Sequence, residues 1–95
     1  MNKEKALIYN KVLDKVLDDF ELTAEKMFGS NESECVQARQ ALIIALTRRG
    51  LADKDIAELT HKMRRCSVCI IRNRYRDETA EWTVRHCLER IRESC

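Results

Sequence analysis

The sequence predicts an all-α fold, and three observations predict it. There is no proline and only two glycines, Gly29 and Gly50. Apolar residues recur every three or four positions rather than alternating. Runs of β-branched and aromatic residues bounded by turn signals are scarce. Ninety-five residues are enough for a single core and too few for two, so one helical domain spanning 1–95 is expected, built from about six helices.

The first helix is expected over residues 3–20, where Leu7, Ile8, Val12, Leu13, Val16, Leu17 and Phe20 share one face. Thr23 is a side-chain N-cap for a short second helix, Ala24–Phe28, which Gly29 is expected to end in a left-handed conformation. The stretch "SNES" offers capping side chains for a third helix with a buried stripe of Val36, Leu42, Ile43 and Leu46, closed by Gly50. Asp53 is the expected N-cap of a fourth helix, Lys54–Leu59, with Ile56 and Leu59 inward. After "THKM" comes a fifth helix of about Arg64–Tyr75, anchored by Val68, Ile71 and Tyr75. Asp77 or Thr79 caps the last helix, whose inward face is Val84, Cys87, Leu88 and Ile91, with Trp82 near its start as a core or dimer-contact residue.

The net charge of +2 conceals an uneven distribution. Residues 1–34 carry five Lys and eight acids, net −3, whereas residues 35–95 carry thirteen Lys and Arg and eight acids, net +5. This divides the chain into acidic lead-in helices (1–34), a basic core (35–76) and a C-terminal helix (77–95), and it places an anion-binding surface in the C-terminal two thirds. From position 60 to 76 there are six cations and no carboxylate. Two short helices joined by a tight turn, the second basic, make a helix-turn-helix pattern. The second helix needs an apolar stripe to dock, which Val68 and Ile71 supply, and an opposite face carrying donors. Arg64, Arg65 and Ser67 stand at its N-terminal end, where such helices touch base edges, while Arg72, Arg74 and Arg76 follow on later turns that meet phosphates. Two cations at a helix N-terminus oppose the macrodipole, a penalty that an anionic partner offsets.

The segment "ARQALIIAL" at 38–46 resembles the helix that opens the DNA-binding core of the C-terminal domain of the bacterial replication initiator DnaA. In that family an Arg-Gln pair precedes an apolar helix, a turn and a short helix with an Ile. Twelve residues after the Ile stands the Val of a Gly-Gly-Arg-Asp-His-Ser/Thr-Thr-Val motif. Ile56 and Val68 keep that twelve-residue spacing, Ser67 stands at a hydroxyl position, and "VLDKVLDDFELTAEKMFGS" resembles the family's lead-in helices. The resemblance covers roughly residues 10–76. It implies a Trp repressor-like helix-turn-helix core, double-stranded DNA as partner, and a minor-groove role for Arg39. His61 and Lys62 stand at the family's Gly-Gly, Met63, Arg64 and Arg65 at its Arg-Asp-His, and Cys66 at its first hydroxyl residue. The resemblance therefore implies the scaffold and not the initiator's sequence preference. With no Gly-rich phosphate loop, no ATPase is implied. "DETAEWTVRHCLERIRES" resembles the closing helix of the Trp repressor, which implies a possible homodimer but, without its tryptophan-pocket residues, no small-molecule ligand.

The expected DNA-binding residues are thus Arg39, Lys62, Arg64, Arg65, Ser67, Arg72 and Arg74, in a transcription regulator or accessory DNA-binding factor of a bacterium or mobile element. The alternative is a protein-interaction module of the same fold that has lost DNA binding. Cys66-Ser-Val-Cys69 is a weak metal alternative with His86, Cys87 or His61, because it falls within a helix rather than on a knuckle. A redox motif would need a strand before the pair. His86 is expected to be partly buried. No catalytic constellation, cofactor or membrane span is expected. The first residues, "MNKEKALIYNKVLDK", lack the apolar run of a leader, so a cytoplasmic location with free thiols is expected.

Overall fold

The computed structural model describes residues 3–75 and 80–94. Among these the chain is all-helical, with α1 Lys3–Phe20, α2 Ala24–Gly29, α3 Ser33–Arg48, α4 Asp53–Thr60, α5 Arg65–Arg74 and α6 Trp82–Ser94.

The run "ALIIAL" makes α3 apolar around most of its circumference, and a helix apolar all round must be central. Accordingly α3 packs against every other helix. Its Ala41 to Leu46 are all buried, and the alanines at 38, 41 and 45 let neighbouring helices approach closely. Val12 and Val16 of α1, Met27 of α2, Ile56 of α4, Val68 of α5 and Val84, Cys87, Leu88 and Ile91 of α6 close the core around it. Each fully buried aliphatic side chain stabilises the fold by about 1.5–3 kcal/mol.

Among the described residues, ion pairs tie α1 to α4, α4 to α5 and α1 to α6. Lys5 Nζ meets Asp55 Oδ2 at 2.9 Å, tying α1 to α4. Arg72 Nε and Nη2 grip the two oxygens of Asp53 at 2.9 and 3.0 Å, tying α5 to α4. Arg90 Nη1 meets Asp19 Oδ1 at 2.6 Å, tying α6 to α1. The partner oxygen Asp19 Oδ2 is buried without a hydrogen-bond partner. Burial, and then the adjacent Asp19 carboxylate, push the Cys87 thiol up to about 12.

Several expectations need correcting. Gly29 is the last residue of α2 rather than a left-handed cap; the chain leaves through extended Ser30, whose N–H donates to Lys26 O at 3.0 Å. Thr23 caps α2 as expected, its hydroxyl accepting from Lys26 N at 3.2 Å. The start of α3 has no side-chain cap; Ser30 Oγ instead accepts from Glu32 N. Val36 is 48% exposed, because the first turns of α3 are covered only on the Cys35–Ala38–Leu42 side. Asp53 does not cap α4. Its carboxylate is held by Arg72, and Asp55 Oδ2 accepts from Ala52 N at 3.1 Å in its place. Trp82 is 65% exposed and stacks on an exposed His86, ring centroids 4.8 Å apart, so neither is a core residue. The expected caps Asp77 and Thr79, and Arg76, lie outside the described residues.

Candidate nucleic-acid interface

The connection from α4 to α5 runs through His61, Lys62, Met63 and Arg64. His61 takes a left-handed conformation (φ 55°) and its N–H closes α4 on Ala57 O at 3.2 Å. This single residue reverses the chain, a conformation that glycine enters without the Cβ penalty of other residues. Arg64 follows in extended geometry as the N-cap residue, and its carbonyl accepts from Val68 N at 3.1 Å to open α5. Val68 is fully buried and Ile71 half-buried, so one stripe of α5 docks on α3, a second face turns toward α4, and the remainder is exposed.

Between α5, the 61–64 connection and the N-terminal half of α3 lies a groove of about 540 Å³. Its floor includes Phe28, Val36, Met63 and Ile71, and its polar lining comprises Arg39, Lys62, Arg64, Ser67 and Arg74 with Asn31 and Gln40. Four cations from three separate segments therefore converge on one concavity, and among the described residues no carboxylate lines it. Among the described residues, no acid pairs with Arg39, Lys62, Arg64 or Arg74.

Five of the seven residues expected at a DNA interface thus meet in one place. Arg65 and Arg72 do not join them. Arg72 is clamped on Asp53, and Arg65 adds its charge to the same carboxylate. The hydrogen bond from Arg72, assisted by its charge, holds the Asp53 carboxyl below the usual carboxylate range and raises Arg72 in turn. Two spacings explain the split. Arg64, Ser67, Ile71 and Arg74 lie three or four residues apart and share a helix face, whereas Arg65, Cys69 and Arg72 share the next one, turned toward α4.

Asn31 and Gln40 were missed by sequence reasoning, because uncharged polar residues carry no signal until the fold places them beside cations. The weak metal alternative does not assemble. Cys66 and Cys69 lie on α5 and His86 and Cys87 on α6, and no group of three or more His, Cys, Asp or Glu converges among the described residues. Cys35, Cys66, Cys69 and Cys87 are free thiols. Among the described residues no helix is long and apolar enough to cross a membrane.

Comparison of this chain with protein-family models, with curated proteins and with solved structures finds no match.

Proposed function

We propose that this protein binds double-stranded DNA through a helix-turn-helix formed by α4 and α5, as a cytoplasmic transcription regulator or accessory DNA-binding factor. The observation that carries this reading is the groove on which Arg39, Lys62, Arg64, Ser67 and Arg74 converge and which, among the described residues, no carboxylate lines. A cationic concavity beside an exposed helix suits a polyanion whose phosphates are regularly spaced. In this reading α5 lies in the major groove. Arg64 and Ser67 approach base edges from its first turn, Arg39 reaches toward the adjacent minor groove, and Lys62 and Arg74 hold phosphates. The left-handed His61 supports it as well, since it fills a position where the DnaA-like motif has glycine, the residue that enters this conformation without a Cβ penalty.

A set of single Ala variants tests the assignment. Arg64→Ala should lose about 1–3 kcal/mol of discrimination at one base position. Lys62→Ala and Arg74→Ala should weaken all sequences alike. Binding is read by competition with duplexes selected from a random pool. Variants that all bind DNA as the parent does would refute the groove as the interface.

A further inference from the structure

The outward side of α5 carries two thiols one helical turn apart. Cys66, Cys69 and Asn73 follow one another at spacings of three and four residues and so share one side of the helix. Cys66 is exposed, Cys69 is half-buried, and both are free thiols. Ile70, four residues after Cys66 on the same side, is 49% exposed, so this face is open to solvent.

Cysteine ordinarily packs as a small apolar residue and is among the most often buried, as Cys35 and Cys87 are here. The clamp between Arg72 and Asp53 accounts for Cys69, whose Sγ accepts from Arg72 Nη2 at 3.8 Å and from Asn73 Nδ2 at 3.4 Å. Packing does not account for Cys66, which stands in solvent one turn earlier.

The helix sets the reach between the two. With a 1.5 Å rise and 3.6 residues per turn, Cα atoms three residues apart are about 5 Å from each other, inside the range of roughly 4.4–6.8 Å that a disulfide spans. The Cβ atoms of such neighbours are about 5–6 Å apart, whereas a disulfide holds them at about 3.8 Å. The bond therefore closes only if this turn tightens by about 1–2 Å toward a 3₁₀ form, which brings side chains three apart into register. Cys66 is the second residue of α5, and helix termini are where 3₁₀ turns are frequent.

We propose that Cys66 is a site of thiol modification by small disulfides, which Cys69 resolves into a Cys66–Cys69 disulfide. The Cys66 thiolate attacks one sulfur of the small disulfide, forms a mixed disulfide and releases one small thiolate. The Cys69 thiolate then attacks Cys66 Sγ and displaces the second small thiolate. The two protein thiols give up two electrons and two protons, and the small disulfide takes up both and leaves as two thiols. Strain in the tightened turn makes the bond reversible by excess thiol, as a transient disulfide is and a structural one is not. The proposal does not depend on DNA binding.

The test incubates the reduced full chain with excess oxidised glutathione, blocks the remaining thiols with N-ethylmaleimide, and maps the products by mass. Trypsin releases residues 66–72 as one peptide, since Arg65 precedes it and Arg72 ends it. The expected product lacks two hydrogens in this peptide and returns to the parent mass with excess dithiothreitol. Cys66 should react at least about tenfold faster than Cys35 and Cys87, because buried thiols meet a reagent only through local opening. Cys69→Ser should stop at a stable glutathione adduct on Cys66, and Cys66→Ser should leave Cys69 unmodified over the same interval. Two-dimensional amide NMR reports that each variant is folded, and oxidation of the parent should shift amides only around residues 65–70. The proposal fails if the parent stops at the adduct, if the bond runs to Cys95 or to a second copy, or if Cys69→Ser gives no adduct. It also fails if Cys35 and Cys87 react as fast as Cys66, if Cys66→Ser is modified at Cys69 just as quickly, or if oxidation shifts amides throughout the core.

Discussion

Arg72 shows how two side chains with the same chemistry on one helix acquire different roles. Arg74, two residues on, lines the cationic groove, while Arg72 turns to α4 and is bound through two hydrogen bonds to Asp53. We therefore expect Arg72→Ala to lower stability while changing DNA affinity less than Arg74→Ala does. The pH dependence follows from Asp53. Its carboxyl is depressed in the folded protein by the Arg72 hydrogen bond. The stability it contributes is therefore fully present above its unfolded value near 3.9 and is lost as pH falls through the lower folded value. Urea unfolding between pH 5 and 2 should show a shallower acid loss for Asp53→Asn than for the parent; equal slopes would contradict the role assigned to the pair. Cys87 marks the opposite limit. Burial pushes its thiol up to about 12, so it is neutral and shielded at neutral pH. Iodoacetamide should label exposed Cys66 in the folded protein and leave Cys87 until unfolding, and equal labelling rates would contradict its placement.

At the scale of elements, helical periodicity located all six helices, because apolar residues three and four apart report burial on one side. The ends were less legible. Thr23 is read correctly because its cap is local, reaching Lys26 N only three residues on. Asp53 is misread as a cap because its true partner lies nineteen residues away on α5. Val36 is misread because the start of α3 is buried on one side only, whereas the "ALIIAL" run is buried all round. The turn between α4 and α5 is a stress point visible only in the fold, since nothing local marks His61 as left-handed. His61→Gly should accordingly raise stability by up to about 1 kcal/mol, the scale of the left-handed penalty for a residue with a Cβ, less the entropy that glycine loses on folding. The urea midpoint checks this, and a fall of 1 kcal/mol or more would mean that the imidazole makes a contact outweighing the strain.

For the whole molecule, the charge division between residues 1–34 and 35–95 pointed to the basic part of the chain but not to its geometry. The sequence reading grouped Arg64 with Arg65 and Ser67, and Arg74 with Arg72, and only the docking of α5 against α4 separates these pairs; bringing Arg39 and Lys62 to the same groove required α3 to be central and the 61–64 connection to fold back beside it. The central claim is that the cationic groove beside α5 holds a duplex. Its most direct measurement is fluorescence anisotropy of labelled duplex DNA across a series of salt concentrations. Contacts from Arg39, Lys62, Arg64 and Arg74 predict a slope of log affinity against log salt of about −3 to −4, reduced by about 1 in Arg74→Ala. Absence of binding at low salt, or a slope that Arg74→Ala leaves unchanged, would contradict the account.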